Sequence, residues 1–330
     1  VHNTCWVFDR DAFGVPQPKC YVFTQLIKYL NSIMKAVILT TISLLAFAGN
    51  SILCRMALGE QEIDAASFTS IRLLSGIISL VLLYKLLNPG DKKIAKGSWY
   101  ASVMLFIYAV TFSYAYIILD TGIGALILFT SVQITMILAN FISGVTVRFI
   151  EWIGITTAFS GFMYLVAPTL STPSLSGFIL MAVSGIAWGM YTLAGKESTN
   201  PLSDTMCNFI RTLPFLITLT VLTIESSHLS LKGIFLAVLA GALTSGIGYT
   251  LWYIALGRLS AVQAAVVQLL VPVMAAAGGT LLIDEAVSMR LVLSSIIILG
   301  GIFTVISGKQ YAENLGKQKD NTNEHLRSQE

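Results

Sequence analysis

No carboxylate sits in the middle of any long apolar run of this sequence. All seventeen acidic residues fall in connections, tails or the ends of apolar segments. A buried acid that trades a proton for a cation within a membrane is therefore missing. Cysteine is sparse: Cys5, Cys20, Cys54 and Cys207 show neither metal-ligand spacing nor a disulfide framework and read as free thiols. His2, His228 and His325 lie in tails or a connection, which leaves no imidazole for a metal centre or a proton relay inside the apolar runs. There is no HExxH, no Ser/His/Asp set and no phosphate-cradling glycine loop, which argues against an enzyme. The formal charge of +3 is scattered, with no basic stripe, so no nucleic-acid partner is expected. No metal and no cofactor is expected either.

Charge of either sign is scarce: 11% of the 330 residues are charged and 55% are hydrophobic, against about 25% and 45–50% in a typical soluble domain. That much apolar surface has to face lipid. Ten segments approach the ~20 apolar residues needed to cross a ~30 Å hydrocarbon layer. They run over 36–57, 66–87, 98–119, 122–143, 150–168, 177–195, 205–224, 233–256, 260–282 and 289–307. Residues 1–33 hold no such segment and form an extension ahead of Met34, which reads as a natural beginning; 308–330 form a polar tail. Lysine and arginine gather in the N-terminal segment, in the connection holding Lys85, Lys92, Lys93 and Lys96, and in the tail; the connections at Glu60–Asp64, Asp120 and 171–176 have none. By the bias of cytoplasmic loops toward basic residues, both termini are cytoplasmic.

The chain also repeats itself. "FTSIRLL" at 68–74 matches "CNFIRTL" at 207–213, placing Arg72 opposite Arg211 at a separation of 139, and "YIILDTGIGA" at 116–125 matches "YIALGRLSAV" at 253–262 at a separation of 137. Five spans is an odd number, so the halves 34–168 and 177–307 enter the membrane from opposite sides. The expected fold class is an all-α polytopic membrane protein: ten transmembrane helices in two inverted-topology five-helix repeats, with a site near the midplane.

These features resemble the EamA branch of the drug/metabolite transporter superfamily. The resemblance rests on Arg72-Leu73-Leu74 and Arg211-Thr212-Leu213, on Ala187-Trp188-Gly189, and on "LGRLSAVQAAVVQLLVPVMAA" in the ninth span; "TGIGALILFTSVQITMI" at 121–137 is similar to the fourth helix of a bacterial subgroup. It covers about residues 34–307 and implies a bacterial inner-membrane exporter of amino acids or other small metabolites. Asp284-Glu285 matches an acidic position of the family, whereas the first-half counterpart at Ser143-Gly144-Val145 does not. Efflux of small drugs, and a membrane scaffold or lipid-handling protein, are the alternatives. The expected partners are a small-molecule substrate and the bilayer, with monomer or homodimer left open.

Candidate site residues follow from depth and chemistry. Gln133 and Gln268 fall mid-span at near-equivalent places of the two halves, and an amide in hydrocarbon needs a partner, so each faces the interior as cargo contact or interhelical glue. Asn50 in the first span is similar, with Ser51 beside it. Trp188 lies centrally in a small-residue helix; Tyr116 and Tyr253 are repeat partners; Tyr191, Tyr249 and Trp252 add aromatic surface. Arg72 and Arg211 each lie about six residues into a span, roughly 9 Å deep. At that depth a guanidinium snorkels to anchor a rim, the sharper alternative being contact with an anionic cargo or a gate. Pro272 permits a kink and Gly185/Gly189 a close helix pair.

Overall fold

The structure, a computed structural model, describes residues 18–88, 97–119, 121–144, 148–166, 175–196, 198–271, 273–274 and separate positions between 289 and 308. The chain divides into two compact units, Val1–Ile38 and Leu39–Glu330. Among the described residues every regular element is helical, apart from one antiparallel bridge between Ile63 and Leu229. The helices are α1 (Pro18–Leu58), α2 (Ala65–Leu87), α3 (Trp99–Ile118), α4 (Thr121–Ile142), α5 (Phe149–Val166), α6 (Leu175–Lys196), α7 (Pro201–Ile210), α8 (Leu213–Thr223), α9 (Leu231–Leu239), α10 (Gly248–Leu256) and α11 (Ala261–Val267). Six stretches among the described residues are long and apolar enough to cross a membrane: Met34–Leu58, Ala65–Leu87, Trp99–Ile118, Leu175–Lys196, Pro201–Ser226 and Leu231–Leu256. Their outward side chains, such as Ile78, Leu82, Ile179, Val221 and Phe235, are exposed and apolar, as lipid-facing surface should be. This is a multi-pass membrane protein. The tenth expected span is described only in part; Pro272, Asp284, Glu285 and the small-residue run 275–279 lie outside the described residues.

Polar caps set the helix ends. Asp64 accepts the Ser67 N–H (2.9 Å) to start α2, and Ser98 starts α3 by accepting the Ala101 N–H (3.4 Å). Asn200 followed by Pro201 opens α7, and Ser260 with Gln263 forms a reciprocal capping box on α11. α1 begins sixteen residues ahead of Met34, at Pro18, in a stretch where the sequence suggests no span. Proline suits a first helical turn, and neither Pro nor Gly interrupts residues 19–48.

Three expected spans are not single α-helices; in the 260–282 stretch α11 ends at Val267, with Gln268 as its C-cap and a turn at 268–269. The 205–224 stretch breaks at Arg211–Thr212 because Pro214, in the first turn of α8, has no N–H to continue the ladder. The Thr212 N–H and hydroxyl both bond the Phe209 carbonyl (3.0 and 2.6 Å). In the 233–256 stretch a π-helical segment, Ala240–Ile247, separates α9 from α10. There α2 comes backbone to backbone: a Cβ at Gly241 would stand 2.0 Å from the Arg72 carbonyl oxygen. The glycine pair expected from spacing packs α6 on α4, where a Cβ at Gly185 would stand 2.5 Å from the Leu128 carbonyl.

Connections meet in pairs. Residues 60–64 pair with 228–232: Asp64 N–H to His228 O (3.1 Å), Ser230 N–H to Glu62 O (2.9 Å), His228 N–H to the Asp64 carboxylate (2.9 Å) and Ser230 hydroxyl to Glu62 (2.6 Å). Lys232 reaches both Glu60 and Glu62. Elsewhere Ser98 N–H donates to Asn208 Oδ1 (2.8 Å), tying the start of α3 to α7. The Ser230 hydroxyl holds the Glu62 carboxyl below the usual range. Partial burial raises that of Asp64, but the Ser67 hydroxyl, followed by the N–H donors of Ser67, His228 and Ala66, outweighs it and leaves it lowered.

Both kinds of contact can be tested by substitution. Gly241→Ala forces α2 from the π segment and should cost about 1–3 kcal/mol, read as a lower unfolding temperature in detergent; Gly300→Ala, with nothing within 4 Å of the added Cβ, should not. Because both carboxyl pKa values are lowered, the 60–64/228–232 pairing is complete above the ordinary carboxylate range near pH 4 and is lost as pH falls through the lowered values. Amide exchange at His228 and Ser230, corrected for intrinsic rate, should stay protected from pH 7 to 5 and lose protection below about pH 4. Glu62→Ala/Asp64→Ala should lose it at pH 7.

Candidate functional site: a buried arginine beside an aromatic file

Arg72 lies eight residues beyond the Asp64 cap, about 12 Å along α2, and is 1% exposed. It does not snorkel. Its side chain turns inward to the π segment and α10, where Nε donates to Ser245 Oγ (2.9 Å). Nη2 donates to the hydroxyls of Tyr249 (2.6 Å) and Tyr108 (3.4 Å). The guanidinium carbon stands 5.5 Å from the Tyr108 ring centroid and 5.7 Å from that of Phe112, a cation–π arrangement that offsets part of the desolvation. Nη1 has no hydrogen-bond partner, and no ion pair reaches Arg72 among the described residues. The rim-anchor expectation fails here for two reasons: the Gly241 contact draws α2 against the π segment, and the paired connections add a layer above the residue. Arg211 differs. It caps α7 at the break, half-buried, with its guanidinium carbon 5.1 Å from the Trp99 ring centroid.

Beside Arg72 the aromatic side chains form a continuous file. Ring centroids follow one another from Tyr116 to Phe112 (4.7 Å), Tyr108 (5.4 Å), Trp188 (4.9 Å), Tyr191 (5.6 Å) and Tyr253 (5.0 Å). The file joins α3, α6 and α10, with the repeat partners Tyr116 and Tyr253 at its ends. Tyr253 rests against Gly195, where no side chain would fit, and donates to the Tyr191 carbonyl (3.0 Å). Trp188 is the hub, packed also against Phe47 (5.2 Å) and Tyr249 (4.7 Å). Its indole N–H donates to Gln268 Oε1 (2.7 Å); the Gln268 amide donates in turn to the Ala264 carbonyl (3.0 Å). Gln268 thus orients Trp188.

At the hub is a small cavity of about 20 Å³ walled by Asn50, Tyr108, Phe112, Trp188, Phe129 and Val271 among others, room for about one water molecule. Asn50 is also within reach of the Thr244 hydroxyl (3.3 Å). Gln133 is not in this wall. It is buried on α4 and lines a separate apolar groove of about 700 Å³ between α4 and α5, its Nε2 without a partner among the described residues. The structure thus gathers Asn50, Trp188, Tyr116, Tyr191, Tyr253, Gln268 and Arg72 around the file and leaves Gln133 and Arg211 apart. Sequence reasoning missed Tyr108, Phe112, Phe47 and Ser245. Tyr108 is a polar-tipped aromatic mid-span, which is a readable signal, but Ser245 reaches Arg72 through a π turn that no periodicity marks. The setting places one buried cation and several polar groups among ring faces around a water-sized space; it offers no nucleophile–base pair, and no metal-ligand cluster occurs among the described residues.

A family model of EamA-like transporters matches residues 175–307. An uncharacterized protein of Pseudomonas aeruginosa is 44% identical over 274 residues, covering 83% of this chain and 95% of that one. The chain belongs to the EamA-like transporter family, within the drug/metabolite transporter superfamily. A Salmonella typhimurium relative of this EamA protein, named "probable amino-acid metabolite efflux pump", is 25% identical over 58% of this chain and 69% of its own. An uncharacterized transporter of Bacillus subtilis is 20% identical over 75% and 89%. One crystal structure superposes with a TM-score of 0.69 at 16% identity, over 82% of this chain and 96% of that one, a likeness of fold alone.

The Trp188–Gln268 contact gives a third prediction. Gln268→Leu leaves a buried indole N–H unpaired and should destabilise the EamA protein by about 1–3 kcal/mol. Adding Trp188→Phe should not destabilise it by the sum of the two single changes, because the orphaned donor is gone; additive losses in detergent unfolding would separate the two residues.

Proposed function

We propose that this protein exports a small polar metabolite such as an amino acid by alternating access, in a bacterial inner membrane, with both termini cytoplasmic. The proposed frame is ten helices in two inverted repeats of five. The observation that carries the reading is the small cavity at Trp188: residues of α1, α3, α4 and α6, with Val271, line it, and at about 20 Å³ it is too small for an amino acid, so cargo would enter only as the surrounding helices part.

The paired connections support the inverted frame. Under the sequence repeat, the α1–α2 connection corresponds to the one before α7, and the connection before α3 to the one before α9. Residues 60–64 meet 228–232 as connection against connection, while Ser98 of the connection before α3 meets Asn208 within α7 itself; each contact joins one segment of each half. The names of the Salmonella typhimurium and Escherichia coli relatives, both "probable amino-acid metabolite efflux pump", favour amino acids as cargo. Within the described residues the acids keep to helix ends, as with Glu151 bonded to the Arg148 N–H (2.9 Å) and Asp204 to the Ser198 hydroxyl (2.6 Å), which speaks against exchange of a proton for a cationic drug. The apolar groove at Gln133 favours one second reading, that the protein handles a lipid chain.

Proteoliposomes containing the purified protein test the proposal. Labelled amino acids should cross with the protein and not without it, and Asn50→Ala should slow flux by about tenfold or more while the unfolding temperature stays close to wild type. Absence of flux for every amino acid, with labelled phospholipid transferred instead, would replace this reading by the lipid one.

A further inference from the structure

Arg72 is an unusual expense for a transmembrane helix. It stays charged at any accessible pH, it is fully buried, and its partners are the neutral oxygens of Ser245, Tyr249 and Tyr108. Burying a charge without a counter-charge is strongly unfavourable, and two of its five N–H donors, those on Nη1, find no acceptor among the described residues. A purely structural tie between α2, α3 and α10 could be made by a neutral side chain at lower cost. The excess is a positive charge and one unpaired donor edge, which is the chemistry that receives an anion.

We propose that Arg72 is the anion receptor of the transport site and that its Nη1 edge takes the carboxylate of the cargo. This rests on the transport reading above and narrows its substrate class to small molecules bearing one carboxylate. The cavity wall includes Tyr108 and Phe112, the two rings against which the guanidinium lies. Tyr108 is also the weakly held partner: its hydroxyl is 3.4 Å from Nη2, against 2.6 Å for Tyr249. Arg72 itself is not in the cavity wall, whereas Tyr108 both lines the cavity and touches Nη2; in the proposed site Tyr108 rotates to join the cavity to the guanidinium and so acts as the shutter between them. Tyr249 and Ser245 keep the guanidinium oriented while its partner changes. With a single cation in the cluster among the described residues, a monoanion is neutralised and a dianion such as phosphate is left with a surplus charge. In the same lining, Asn50 Oδ1 and the faces of Trp188 and Phe47 suit the ammonium end of a zwitterion.

The test uses full-length protein in proteoliposomes, with the labelled L-amino acids as probes and, for each one moved, its amide and its decarboxylated amine. Wild type should move the acid at least about tenfold faster than either analogue. Arg72→Gln should remove that preference while unfolding at or above the wild-type temperature, because an uncompensated charge is gone; Arg72→Lys, which keeps charge without the planar fork, should keep part of it. Equal rates for acid and amide in wild type, or an undiminished preference in Arg72→Gln, would overturn the assignment and leave transport standing. Should Arg72→Gln fail to fold, Tyr108→Phe replaces it: removing the weak hydroxyl contact should raise acid flux or affinity and leave amide flux unchanged, and an equal change in both would count against the shutter. If wild type moves neither acids nor analogues, the transport reading itself fails and this assignment with it. Thermal stabilisation of wild type by chloride and by no amino acid would make the anion an inorganic ion and refute the cargo assignment.

Discussion

A guanidinium with no counter-charge among the described residues, held in the middle of an apolar bundle, is the constraint around which this molecule is arranged. Keeping Arg72 there requires donors to be spent on fixed oxygens, which come from Ser245, Tyr249 and Tyr108. Those oxygens sit on three different stretches of chain, so α3, the π segment and α10 must converge on one face of α2. Convergence at that range is possible because Gly241 lets the π segment touch the α2 backbone. The widened π turn turns Ser245 toward the arginine, a use consistent with the frequent occurrence of such turns at functional sites. The rings that shield the charge are in turn the start of the aromatic file, so charge, packing and cavity are parts of one arrangement.

Much of the helical framework was legible in the sequence, because apolar run length and the spacing of the Gly185/Gly189 pair act locally. What was not legible depends on contacts between distant segments. The depth of Arg72 was judged from its distance to a span end, which takes no account of residues 60–64 being covered by 228–232. The break at Arg211–Thr212 had a visible cause in Pro214, yet hydropathy runs through it. The π segment carries no periodicity of its own. Of the site, Trp188 was readable as a central group and Asn50 as a polar one nearer the outer end of its span; that Gln268 serves Trp188, and that Gln133 faces another groove, depended on helix rotation, which composition does not set.

The two arginines of the repeated motif have come to different surroundings. Arg211 lies at a helix break against the outer ring of Trp99, where a guanidinium keeps access to polar surroundings and costs little. Arg72 has lost that access. If both descend from one duplicated block, the ancestral position was tolerable at a rim, and the π segment then enclosed one copy. The repeated sequence block thus carries two arginines of unlike surroundings, one buried among hydroxyls and rings and one half-buried at a helix break.

The central claim, that the halves rock about the enclosed cluster, is tested most directly by spin-label distances in reconstituted protein. One label pair at Gln61 and Ser227 reports on the 60–64/228–232 contact, and another at Tyr100 and Thr199 reports on the α3/α7 end. Alternating access requires two distance populations at each pair, with the long population of one rising as that of the other falls when a transported amino acid is added. A single unchanging distance at both pairs, with and without amino acid, would contradict it.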